Sequence, residues 1–237
     1  MCIFSQKANV SKTKIFARSG KENTQYLVYS MIVKAEKELA MILPLPVAQM
    51  SKDITFINLE KYPEFFDDLA KGYLTLSRGQ AKTDAKLAVV EVGSFIASFV
   101  PTAKDLSKVD DKFRLPDDVW AKLPQFKDYG FAVFQLKSGE KNIHPMALSF
   151  PRADKKRLYF PTVHVHDGKV AEKDEFDHIL YCQATNGETI LEWEESVQPV
   201  ELFNKNIEKA QGILEGNEHL YRKELKGKQK NEDVWLG

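Results

Sequence analysis

TKIFARSGKENTQYLVYSMIV, residues 13–33, sets two runs rich in β-branched and aromatic residues on either side of the polar SGKENT. Both runs have strand composition, and Gly20 and Asn23 between them are turn residues, so a β-hairpin is predicted. Beyond the charged KAEK comes ELAMILPLPV, residues 38–47. Its prolines lack the N–H that a ladder needs, which puts the Pro44–Pro46 end at an edge or strand exit and makes the first sheet a meander.

Working toward the C-terminus, PEFFDDLAKGY (63–73) opens on a proline suited to a first helical turn. It sets Phe65, Phe66 and Leu69 on one stripe and meets a stop at Gly72, the pattern of a short amphipathic helix. LAVVEVGSFIASFVP (87–101) predicts a buried strand, a bulge or turn, and a second strand. Short helices are expected in TAKDLSKV and PDDVWAKL. Strands are expected in GFAVFQL, IHPMALSF, RLYFPTVHV and FDHILYCQA. VELFNKNIEKAQGILEG (200–216) has approximate helical spacing and predicts a C-terminal helix. The fold class expected is α+β: a predominantly antiparallel β-sheet with a few short helices and that C-terminal helix, as a single module over residues 1–216. Residues 217–237 are expected to form a polar tail, because HLYRKELKGKQK (219–230) has the composition of a solvated or frayed end.

The 237 residues are 43% hydrophobic and 11% aromatic, enough to fill a core. Thirty-four Lys and Arg balance 34 Asp and Glu, so no long-range field draws the chain to nucleic acid or to an acidic membrane. The start, MCIFSQKANVSKTK, lacks the basic and apolar blocks of a signal peptide. The longest apolar run, LAMILPLPVAQM (39–50), falls short of the ~20 residues that span a bilayer. Two cysteines suit a reducing cytoplasm. No glycine-rich phosphate loop is present, and no nucleotide cofactor is expected.

A cysteine beside the N-terminus, TKIFAR, QYLVYSMIV, AMILPLPVA and YPEFFDDL are followed in order by VGSFIASFV, YGFAVFQLK and IHPMALSFP. This succession, over roughly residues 2–160, resembles a bacterial family known only as a domain of unknown function. Its members typically carry a Leu-Pro-x-Pro strand end after the first hairpin and are often exported. The resemblance implies one module with LPLP (43–46) as its hallmark, and it brings no mechanism.

Two groups of residues can carry chemistry. FPTVHVHDG (160–168) places His164 and His166 two apart, hence on one face of a strand. If the strand holding His178 and Cys182 returns as an antiparallel hairpin after the Asp167-Gly168 turn, His164 lies nearly opposite His178. His164, His166, His178 and Cys182 are then a ligand set for zinc or copper, with Asp167 and Asp177 orienting the imidazoles. A one-residue register shift turns His178 away. Cys2, exposed by removal of Met1, would join a thiol to an α-amine able to act as its base, the arrangement of an N-terminal-cysteine hydrolase. Its opening MCIF lacks the glycine of the MCGI found in glutamine amidotransferases. His144, held extended before Pro145, is either an acid/base group or a packed strand histidine. Three function classes follow: a transition-metal-binding protein, an N-terminal-cysteine hydrolase, and a noncatalytic binding or scaffold domain with an unknown partner.

Overall fold

In chain order the strands are β1 (Cys2–Phe4), β2 (Asn9–Ser19), β3 (Thr24–Ala35), β4 (Leu39–Leu45), β5 (Thr55–Asn58), β6 (Ile96–Val100) and β7 (Gly130–Leu136). There follow β8 (Gly139–Pro151), β9 (Leu158–Phe160), β10 (His164–Val165), β11 (Lys173–Gln183), β12 (Glu194–Glu195), β13 (Tyr221–Lys230) and β14 (Val234–Leu236). Among the described residues three short α-helices, α1 (Phe65–Ala70), α2 (Asp117–Trp120) and α3 (Val200–Phe203), lie between them with several 3-10 turns. The computed structural model describes residues 2–48, 54–73, 95–184 and 190–237, the side chains of residues 2 and 140–143 excepted. The first half of the run predicted as paired strands over 87–101 therefore lies outside the described residues.

The 13–33 stretch is the expected hairpin: β2 pairs antiparallel with β3, Ile15 opposite Tyr29 and Ala17 opposite Leu27. A 3-10 turn at Lys21–Asn23 joins them, with Glu22 and Asn23 at positive φ. The meander stops there. The outer neighbour of β3 is β8, in a seven-stranded sheet ordered β12-β13-β11-β2-β3-β8-β5. The chain instead carries β4 into a five-stranded sheet ordered β10-β1-β4-β7-β6, and β14 pairs with β9. Pro44 lies past the β1 partners of β4, which are Met41 and Ile42, while β7 continues opposite it at Phe131.

The expected antiparallel α+β class is corrected. Strand outweighs helix at 45% to 18%, so the molecule is β-rich. Both larger sheets are mixed: β11 runs parallel to β2, and β10 parallel to β1. The composition of a strand does not encode which way its neighbour runs.

Burial explains the near-continuous apolar runs. Ile15, Ala17, Leu27 and Tyr29 join a core shared with Ile3, Met41, Leu43 and Phe134 of the smaller sheet. Phe16, Val28 and Tyr181 point to the opposite face and pack with Tyr62, Phe65, Phe66 and Leu69 of the α1 region and with Val200 and Ile213. The large sheet is thus covered on both sides, which selects apolar residues at successive positions instead of alternate ones.

The C-terminal helix is also corrected. Four residues of α3 end at Asn204, whose backbone is extended, and a 3-10 turn at Ile207–Ala210 ends at Gln211 with φ 51°. Asn204 Oδ1 accepts from Tyr62 Oη at 3.1 Å and from the Asn206 amide at 2.9 Å, and this local bonding competes with helix continuation. The apolar spacing of the segment reflects burial of Ala210, Ile213 and Leu214 in the outer core. The polar tail is corrected as well. β13 pairs with β11 over ten residues, and its cations face carboxylates: Arg222 meets Glu194, Lys223 meets Glu192 and Lys226 meets Glu224. Charge that reads as fraying is how a strand close to a sheet edge stays soluble. Among the described residues no helix is long and apolar enough to cross a membrane.

Candidate functional site: a histidine cluster between the two sheets

The strand carrying His164 does not pair with the strand carrying His178. β10 belongs to the smaller sheet and β11 to the larger, so the predicted hairpin register is replaced by a meeting of inner faces. The two rings nevertheless touch, with His164 Nε2 3.1 Å from His178 Nε2. His166 stacks on His164 with ring centroids 4.8 Å apart, and Phe176 stacks at 4.3 Å. The Asp167-Gly168 turn forms as expected, Gly168 at φ 75° and Asp167 Oδ1 accepting the Lys169 amide. It redirects the chain to the other sheet.

The backbone around the cluster is fixed from far along the chain. Asn231 accepts the His164 amide at 2.6 Å through Oδ1 and donates to the His164 carbonyl at 2.9 Å through Nδ2, imitating a neighbouring strand. The half-buried Asp233 accepts the Thr162 and Val163 amides at 2.7 and 3.0 Å and the Tyr159 hydroxyl at 2.8 Å. No sequence signal marks Asn231 or Asp233, since each imitates or caps backbone 67 to 71 positions away.

Carboxylates stand behind the rings. Asp174 Oδ2 lies 3.4 Å from His164 Nδ1, and Asp177 Oδ1 lies 3.6 Å from His178 Nδ1. Asp177 was legible as an orienting group; Asp174, in place of Asp167, was not. Asp177 Oδ2 also accepts the Lys12 amide at 2.6 Å, at the bulge that interrupts β2 between Ser11 and Lys14. Burial alone would raise Asp177, but the neighbouring His178 imidazole and the bonds from the Lys12 and Thr13 amides outweigh it and hold the carboxyl below its usual range. Desolvation dominates the imidazoles. It lowers His166 to about 4 and His178 to about 3, and it drives His164 far below the ordinary histidine value, with His178 and His166 adding to the effect. All three rings are neutral at pH 7. They line a cleft of about 590 Å³ together with Thr13, Asp174 and Asp177.

Cys182 is not part of this cluster. It shares the β11 face of His178 but sits two strand repeats away, about 13 Å at the usual rise. It is a buried free thiol whose pKa burial pushes up, the condition of an inert cysteine. Among the described residues no three His, Cys, Asp or Glu side chains converge as a group that could hold a metal ion. Cys2 lies in β1 in parallel register with His164, and Met1 is outside the described residues. His144 is buried, stacked on Phe95 at 4.5 Å, and its pKa is lowered by burial. It is a packed strand histidine.

No protein-family model matches the chain, and no curated protein matches it. Solved structures do. Baculovirus P35 superposes with a TM-score of 0.55 at 16% identity, over 100% of this chain and 99% of that one. The chain has a P35-like fold. A mutated baculovirus P35 after caspase cleavage matches with a TM-score of 0.48 at 15% identity, covering 96% of this chain and 99% of that one. P35 in the caspase-8/P35 complex matches with 0.47 at 15%, covering 96% of each.

Proposed function

We propose that the chain is a noncatalytic protein-binding module whose partner is a caspase-type cysteine protease. The observation that carries this reading is the extent of the fold likeness, which spans 100% of this chain and 99% of P35. P35 itself is a protein seen in complex with caspase-8, and a mutated P35 is seen after caspase cleavage. A fold hosts more than one function, and the binding reading asks least of this chain, whose described thiol is buried away from any substrate. A large sheet packed on both faces is also a rigid base from which connecting segments can be presented. The reading takes the cytoplasm as the chain's compartment, which the free thiol of Cys182 suits.

The test mixes the full chain with active caspase-8 and follows a fluorogenic substrate, gel filtration and denaturing electrophoresis in parallel. The expected result is a stoichiometric loss of protease activity with co-elution or specific cleavage of the chain. Full protease activity, with the chain intact and eluting separately at tens of micromolar, would sink the reading.

A further inference from the structure

We propose that the cleft between the two sheets is a binding site for a small molecule that carries a guanidinium group. Its size is the first support. A volume of about 590 Å³ falls within the roughly 300–1,000 Å³ of small-molecule sites, and a lone side chain from another protein would leave most of it to water.

The second support is a pair of polar atoms that the fold buries and does not use. Thr13, fully buried on the bulge of β2, has a hydroxyl without a hydrogen-bond partner, and buried Nε2 of His166 has none either. Both residues line the cleft. A buried polar group left unbonded costs about 1–3 kcal/mol, which a ligand reaching these atoms would relieve. Each can accept: a hydroxyl has two lone pairs, and a neutral imidazole keeps one ring nitrogen as an acceptor.

Charge and wall chemistry select the ligand. Of the carboxylates lining the cleft, Asp167 is paired with Lys169 at 3.7 Å, whereas Asp174 and Asp177 stand beside imidazoles that burial keeps neutral. With Glu175 they leave the cleft short of positive charge, since Lys7, the other lysine of its lining, is exposed. Buried neutral acceptors and half-exposed carboxylates suit a ligand that only donates, and they repel an anion. The walls decide between ammonium and guanidinium. Phe176, His164 and His166 line the cleft as stacked rings with centroids 4.3 and 4.8 Å apart. A guanidinium is planar, lies against aromatic rings and is more weakly hydrated than an ammonium, and its five N–H groups can serve a carboxylate and a buried acceptor together. This inference does not depend on protease binding.

The test titrates untagged full-length protein with benzylguanidinium by calorimetry, beside its neutral isostere benzylurea, and maps the site by backbone amide chemical shifts. One molecule per chain with a dissociation constant below about 1 mM is expected, with benzylurea at least about tenfold weaker. Thr13→Val removes a hydroxyl that bonds nothing in the fold, so the protein should stay folded while benzylguanidinium binds about tenfold more weakly. Asp174→Asn, at a half-exposed position, should weaken binding by about the same factor. The largest shifts are expected at Thr13, His166 and Asp174. No saturation by roughly 10 mM, equal binding of benzylurea, unchanged binding by either folded variant, or shifts centred outside the cleft would each overturn the proposal.

Discussion

At the scale of single residues, the histidine cluster stores a pH dependence whose sign is fixed. His166 and His178 have native pKa values of about 4 and about 3, below the unfolded value of about 6.5. The unfolded chain therefore binds more protons as pH falls, and stability present above pH 6.5 drains away toward pH 3 to 4. The loss is expected to be roughly 2 kcal/mol per ring by pH 5, read from urea midpoints at pH 7.5 and pH 5. A flat profile would show that the rings are solvated. Asp233 gives a second prediction. Asp233→Ala strands the Thr162 and Val163 amides, at about 1–3 kcal/mol each, and hydrogen exchange should show both amides opening. What the sequence disclosed of the site follows the same physics. The period of two in HVH (164–166), the Asp-Gly turn and Asp177 were readable because each is local. The approach of His178 was expected through a ladder that does not exist, and Asn231 and Asp174 were unreadable because their roles depend on where distant backbone lies.

At the scale of elements, the bulge in β2 and the strand β13 make separate claims. Lys12 holds φ at 53°, a conformation that costs an L-residue and not glycine. Its bond to Asp177 uses the backbone amide, which glycine retains. Lys12→Gly should therefore raise the melting temperature modestly, because the left-handed cost of about 1–2 kcal/mol that it relieves exceeds the entropic cost of about 0.5–1 kcal/mol that glycine brings; a lowered one would mean that the lysine side chain supports the bulge. β13 gives the stronger contrast. Deleting residues 221–237 would be harmless to a frayed tail. It should instead strip β11 of its antiparallel partner, with loss of soluble monomer on gel filtration and of β-signal in far-UV circular dichroism. Local sequence was a sound guide to the hairpin of β2 and β3 and to the apolar stripe of α1. It misread β13 because a charged strand near an edge and a solvated tail share a composition, and it misread residues 200–216 because burial on a sheet can imitate helical spacing.

At the scale of the whole molecule, the two cores share one sheet. Ile15 and Phe16 are adjacent in sequence yet belong to opposite faces, so neither core can loosen without unpairing β2. Ile15→Ala and Phe16→Ala should each cost about 2–5 kcal/mol and leave a single cooperative transition by both fluorescence and circular dichroism. Two separated transitions in either variant would mean that the outer core melts by itself.

The parallel pairing of β2 with β11 has a kinetic consequence. Lys12 and Asp177, bonded across it, are 165 positions apart, and contacts of such separation slow the search for the native state. During synthesis the centre of the large sheet cannot exist until the chain has been made past Gln183, so the apolar hairpin at 13–33 waits uncovered for most of translation, a period in which unpaired strand edges invite aggregation and chaperones are needed.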